Sequence, residues 1–264
     1  MRKRVKIDAF YILYKGFMQE HSISVMKFED EPSMWDTSQC CLNDIAFASQ
    51  MCHKNVLKFI GCCLETQIPI LVFDPVNYDT LAARLYDRDH QPHFEPLLLT
   101  QRLKIAMEIA NAVSYLHVGF PRPIVFRSIK LSNILFDEEY VAKLFNMTLS
   151  ATIPEGETHT KDGLKATMGY VAPEYAVTGY FNEKCDVYSF GLLSFQLLTG
   201  RHIIEFDDDH DYLLGDRVKR FTENNRFNEI IDLALKCVSD LAEDRPTMVD
   251  VAKQLRQLYL TSLN

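Results

Sequence analysis

The apolar positions of this chain change period part-way along it. Toward the N-terminus they fall in short runs, Phe10 to Tyr14, Ile23 to Phe28, Leu57 to Cys62 and Ile70 to Phe73, each of strand length. From Arg102 to His117, Ile105, Ile109, Val113 and Leu116 recur at helical spacing, with Thr100 placed to cap the helix. The run from Val187 to Leu198 is broken only by Ser189 and Ser194, and Gly200 stands where a left-handed cap would end a buried helix. Leu233 to Cys237 and Met248 to Leu258 predict closing helices. Strands first and helices afterwards predict an α+β fold.

Composition fits one domain, since 264 residues at 47% apolar content can bury a large core. A net charge of −8 argues against nucleic acid or an anionic membrane as partner, and the basic stretch Arg2-Lys3-Arg4-Val5-Lys6 reads as a solvated terminus. The seven cysteines show no C-x-x-C spacing and are expected to be reduced core thiols, with no metal site. No apolar run approaches the ~20 residues of a membrane span, so no membrane insertion is expected.

The candidate chemistry lies in ordered motifs. Val125-Phe126-Arg127-Ser128-Ile129-Lys130-Leu131-Ser132-Asn133 is followed by Phe145-Asn146-Met147-Thr148, then Gly169-Tyr170-Val171-Ala172-Pro173-Glu174-Tyr175, Asp186-Val187-Tyr188-Ser189-Phe190-Gly191 and Glu243-Asp244-Arg245-Pro246-Thr247-Met248. This series resembles the protein-kinase signature H-R-D-L-x-x-x-N, D-F-G and A-P-E from about Tyr14 to Leu255, and most resembles plant receptor-like kinases and their cytoplasmic relatives. The resemblance implies a bilobal protein-kinase-like fold, with a small antiparallel β-sheet N-lobe carrying one helix at about 1–76, a larger, mainly helical C-lobe at about 77–264, a degenerate glycine loop and little before it. It also implies structural roles for Arg127, Asp186 and the pair Glu174 and Arg245.

Against that signature the chemistry is missing. Ser128 stands where a kinase carries its base, and a hydroxyl holds its proton too tightly to serve near neutral pH. Asn146 replaces the metal-binding Asp with a neutral amide, leaving Asn133 as the remaining ligand. Phe126, Met147 and Thr148 complete the degenerate positions, the first two apolar enough to fill the column that joins kinase lobes. The three glycine-loop places fall on Lys6, Asp8 and Tyr11, whose side chains obstruct a phosphate cover. Losing a base costs roughly 10²–10⁴ in rate, and losing the metal clamp at least as much. Weak or absent ATP binding and no phosphoryl transfer are therefore expected.

A vestigial nucleotide pocket would comprise Lys27, Asp44, Val76, Lys130 and Asn133. The strand lysine has two registers: counting from Gly16 gives Lys27, and matching Ile23-Ser24-Val25 to V-A-V gives Met26. Asp44 takes the place of the helix glutamate that pairs with this lysine. The helical part is expected to be remodelled near Ile231 to Leu233, where relatives carry on the order of 20 further residues, longer than a median loop.

Within the receptor-like cytoplasmic kinases, Phe120 to Arg127, the insert Tyr86 to Phe94 and Ile153 to Glu157 resemble a pseudokinase branch that serves as adaptors of a plant intracellular immune receptor. That resemblance implies an adaptor or decoy in plant defence signalling with protein partners, an immune receptor and an active receptor-like cytoplasmic kinase. It would be cytoplasmic, reaching the inner face of the plasma membrane through those partners. The loop Ser150 to Met168, with Thr152, Thr158, Thr160 and Thr167 beside Arg127, is the candidate partner surface. A weak Ser/Thr kinase with a substitute carboxylate from Asp137-Glu138-Glu139, and a non-catalytic nucleotide sensor, are the alternatives.

Overall fold

The computed structural model of the protein describes residues 4–6, 11–28, 36–77, 79–86, 97–167, 169–200 and 228–263. It divides into two compact units, Met1–Arg84 with Leu131–Ser150, and Leu85–Lys130 with Ala151–Asn264. The first unit thus takes a segment that a simple cut near residue 76 would leave in the second. The physical reason is pairing: β7 (Ile134–Phe136) and β8 (Ala142–Leu144) form an antiparallel ribbon that bridges Val56 to Leu144 and Asn77 to Phe136.

The first unit is built on a five-stranded antiparallel sheet of β1 (Arg4–Lys6), β2 (Tyr11–Met18), β3 (His21–Phe28), β4 (Phe59–Cys63) and β5 (Ile70–Phe73), in the order β1-β2-β3-β5-β4. Strand period sets its faces: Tyr11 and Leu13 of β2 lie opposite Phe28 and Met26 of β3, and these four are buried together. The β2–β3 turn has two residues, Gln19 and Glu20, both at positive φ, as a tight hairpin requires even without glycine. Helix α1 (Thr37–Ala48) starts at Asp36, whose carboxylate accepts from the N–H groups of Ser38 and Gln39.

Helix α2 (Leu81–Tyr86) straddles the division, and the second unit is mainly helical. Helix α3 (Leu99–Val118) starts three residues before the expected Arg102, and its cap is Leu98 rather than Thr100. The Gln101 side chain accepts the Leu98 N–H at 2.8 Å, so the first turn closes from within. Two-stranded pairs join β6 (Ile124–Val125) to β9 (Ala151–Thr152), and β10 (Thr160–Lys161) to β11 (Tyr180–Phe181). Around them lie α4 (Pro173–Thr178), α5 (Glu183–Thr199), α6 (Asn228–Cys237) and α7 (Met248–Ser262).

The apolar run forms α5, capped by Gly200 at φ 66°. Helix α6 is continuous through Ile231 to Leu233. Ile231 and Ala234 pack on Leu192 and Phe195 of α5, which supplies the apolar face an amphipathic helix needs. Cys41, Cys185 and Cys237 are core thiols, but Cys52, Cys62 and Cys63 are exposed, which corrects the expectation for the whole set.

Candidate functional site

On β3 the alternation decides which residue faces inward. Met26 is 0% exposed and pairs with Leu13 and Leu71, while Lys27 is exposed and pairs with Ile12 and Ile70. The reading that places Lys27 in the pocket is therefore corrected: the inner face carries a thioether where a kinase carries its phosphate-pairing cation.

Asp44 consequently does not face Lys27. It is 0% exposed, and its Oδ1 accepts the Met147 N–H at 2.8 Å. Its neighbour Asn43 donates from Nδ2 to the carbonyl oxygens of Thr148 at 2.8 Å, Ser150 at 3.0 Å and Met147 at 3.2 Å. Two adjacent residues of α1 thus fasten the segment after Asn146 through its backbone. Burial pushes the Asp44 carboxyl up to about 7, opposed by the Met147 hydrogen bond.

The polar groups beside this face are satisfied by the chain itself. Tyr11, 1% exposed, donates from its hydroxyl to Asn133 Oδ1 at 3.1 Å. Asn146 Nδ2 donates to the Tyr11 hydroxyl at 3.1 Å and to Asn133 Oδ1 at 3.2 Å. Asn146 sits at φ 71°, a left-handed conformation that Asn tolerates better than most residues. Its Oδ1 accepts from the Thr148 N–H at 3.4 Å. At the other end, the Val76 N–H donates to Ser24 Oγ at 3.2 Å, so that hinge amide is engaged within the unit.

A magnesium ion needs oxygen ligands at about 2.0–2.1 Å, and carboxylates are its usual protein donors. Asn146 turns N–H groups toward Asn133 and Tyr11, and Tyr11 Oη already contacts both side chains. These residues do not fit the metal. Among the described residues no cluster of three or more His, Cys, Asp or Glu side chains is placed to hold an ion. Asp137 is no substitute carboxylate: its Oδ1 accepts from Glu139 and Val141, and its Oδ2 pairs with Lys143 at 3.0 Å. It closes the β7–β8 turn, and with Glu138 and Glu139 lines a separate cleft of about 510 Å³ beside His53, Lys54 and Lys58.

In the second unit, Asp186 of α5 anchors the degenerate catalytic segment. Its Oδ2 accepts the Phe126 N–H at 2.7 Å and contacts His117 Nε2 at 2.9 Å, and its Oδ1 accepts the Arg127 N–H at 2.8 Å. Phe126 and Ser128 are buried, as Met147 is in the first unit, and Lys130 is half-buried. Arg127 lies over the Phe181 ring at 4.4 Å and donates from Nη1 to Asp162 Oδ2 at 3.0 Å and to the Tyr175 hydroxyl at 3.4 Å. Asp162 also pairs with Lys165 at 3.1 Å. The loop arginine is thus engaged by a carboxylate of the loop. Thr152 and Thr160 belong to strands β9 and β10, Thr158 is exposed and Thr167 is half-buried. Glu174 receives Arg245 in a two-pronged pair at 2.7 and 2.8 Å. Asp8 lies outside the described residues.

Residues 6–255 match the model of the protein tyrosine and serine/threonine kinase family. The chain belongs to the protein kinase family. Wall-associated receptor kinase 5 of Arabidopsis thaliana is 35% identical over 93% of this chain, which spans 36% of that protein. The non-functional pseudokinases ZED1 and ZRK2 of the same plant are 36% and 33% identical over 94% and 96% of the chain, which spans 80% and 77% of them. The chain thus covers about a third of the receptor kinase and most of the pseudokinases. Its relatives include both kinases and proteins named as inactive, and the family fold of antiparallel-sheet N-lobe and helical C-lobe is present.

Within that fold, the motifs alone do not give the parts played by Asn43, Asp162 and His117, because none of them is a motif position, nor the bond Ser24 makes, since the motif residue at its place is an alanine. A signal exists for Ser24: strand period places it on the same face as Met26.

Proposed function

We propose that this protein is a catalytically silent kinase-fold module, an adaptor or decoy in plant defence signalling. In this reading it holds an intracellular immune receptor on one surface and an active receptor-like cytoplasmic kinase on another, and needs no nucleotide cofactor. The observation that carries the loss of catalysis is Asn146. Its amide is used as a hydrogen-bond donor to Tyr11 and Asn133, the opposite of what a metal asks of it. Ser128 at the base position and Met26 on the inner face of β3 support the same reading. The adaptor role is supported by the sequence resemblance to adaptor pseudokinases and by similarity to two relatives named non-functional pseudokinase. A retained structural skeleton, Asp186 on the catalytic segment and Glu174 on Arg245, suits a protein kept for its surfaces.

Incubation with Mg-ATP or Mn-ATP followed by intact mass tests the first half, and no added phosphate is expected. Stoichiometric incorporation abolished by Ser128→Ala would overturn it. Co-precipitation of candidate receptors and receptor-like cytoplasmic kinases from plant extract tests the second half. Capture of neither class by the folded protein would overturn the adaptor role.

A further inference from the structure

In protein kinases the residues at the places of Asn133 and Asn146 hold metal ions. Here three side chains close on one another instead. Tyr11 Oη lies 3.1 Å from Asn133 Oδ1 and 3.1 Å from Asn146 Nδ2, and those two atoms are 3.2 Å apart. The donor inventory is consistent around this ring. The tyrosine gives its one O–H to Asn133, and Asn146 gives N–H groups to the tyrosine oxygen and to Asn133. An aspartate at 146 has no N–H to give, so the ring as built needs the amide and not the acid. The tyrosine ring is itself wedged, edge-on to Phe145 at 5.9 Å and tilted against Phe28 at 5.9 Å.

We propose that Tyr11 is a built-in occupant of the cation position between Asn133 and Asn146, so that the chain closes its own nucleotide face and Asn146 serves as the partner that holds the occupant in place. The identity of residue 146 and that of residue 11 are then one feature: the amide is adapted to the tyrosine. Ser24 does the same at the other end of the face by taking the Val76 N–H at 3.2 Å. This deepens the catalytically silent reading, on which it rests, and can fail while that reading stands.

The test uses wild type, Asn146→Asp, Tyr11→Gly and the double variant, melted with and without Mn²⁺ and ADP. Glycine at 11 frees the space, and aspartate at 146 returns a charged ligand. Only the double variant should respond, with a melting-temperature rise of about 3–5 °C at ligand tenfold above its Kd. An equal rise in Asn146→Asp alone, or none in a folded double variant, would overturn the proposal. A second measurement decides it whether or not the glycine variants fold: a double-mutant cycle of Tyr11→Phe and Asn146→Ala. Because each change opens the same ring, the double should lose about 2–4 °C less than the sum of the singles. Strict additivity would show that no such ring exists. Phosphoryl transfer by wild type would instead defeat the functional reading and leave the cycle's result unaffected.

Discussion

Asp44 Oδ1 accepts the Met147 N–H at 2.8 Å, while Asp44 Oδ2 is buried with no hydrogen-bond partner. A kinase would turn this helix residue toward a strand lysine. Here it holds the backbone after Asn146, and the half-satisfied carboxyl is pushed up to about 7 by burial, against the Met147 bond. The Cys41 thiol, one helical turn back on α1, is itself pushed up to about 12, chiefly by burial and next by Asp44.

A pH dependence of definite sign follows. The folded protein holds the Asp44 proton more tightly than the unfolded chain, whose carboxyl titrates near 4. This contribution to stability is therefore complete below about pH 4 and is lost as pH rises through about 7, a tilt on the order of a few kcal/mol. Asp44→Asn keeps an oxygen for Met147 and removes the proton. Urea midpoints of the two proteins between pH 5 and 8 should diverge, the wild type falling relative to the variant. Parallel curves would mean that Asp44 stays ionised in the folded state.

Arg245 should be among the costliest side chains to remove. It is 1% exposed, grips both oxygens of Glu174, and also donates to the carbonyls of Ser239 at 2.7 Å and Lys184 at 3.1 Å. Arg245→Ala strands a carboxylate and several carbonyls, a loss of about 3–5 kcal/mol. Arg245→Lys keeps the charge without the fork and should recover only part of it. Chemical denaturation measures both. A cost below about 1 kcal/mol for Arg245→Ala would show that the pair contributes geometry without stability.

The motifs made much of this legible and left a definite part obscure. Asp186, Glu174 and Arg245 stand at motif positions of the kinase signature, and each makes its contacts inside one unit, so the resemblance locates them. Helix α5 and its Gly200 end were readable for a local reason: a nearly unbroken apolar run followed by the residue that tolerates positive φ. The β3 register was not, because a one-residue slip turns Lys27 inward or outward, and the choice is made by pairing with β2 and β5. Nor was the bond between Tyr11 and Asn133, whose partners are 122 residues apart. Sequence could say that Tyr11 obstructs a phosphate cover, but not that its hydroxyl takes up the metal ligands.

Asp162 should order its loop without phosphorylation. Burial alone would raise its carboxyl, but hydrogen bonds and charge from Arg127 and Lys165 outweigh this and hold it below the ordinary value. A carboxyl lowered on folding adds stability above its unfolded value, near 4, and loses that contribution as pH falls through the lower folded value. With this side chain partly solvated, the effect is on the order of 1 kcal/mol. Asp162→Asn should therefore cost no more than about 1 kcal/mol of global stability while speeding hydrogen exchange at Lys165, whose N–H is held by the Tyr175 hydroxyl at 3.0 Å. Unchanged exchange there would assign the ordering to Tyr175 alone.

Gly191 sets how closely α5 can approach α6 and the residues just beyond it. A Cβ added there would come within 2.6 Å of Val238 Cγ1, 2.8 Å of Cys237 Cβ and 3.1 Å of the Ala234 carbonyl oxygen. Cys237 Cβ and that carbonyl cannot swing aside as the end of a long side chain could, so even one methyl must push the α6 segment away. In a helix interior alanine is otherwise favoured over glycine by about 1 kcal/mol, so propensity and packing predict opposite signs. Overpacking costs about 1–3 kcal/mol, and with contacts this short it should prevail. Gly191→Ala is expected to lower the melting temperature by several degrees, and Gly191→Ala with Val238→Ala should recover part of the loss by removing the nearest methyl. A rise in melting temperature for the single variant would show that the helices part easily and that the close approach contributes nothing to the fold.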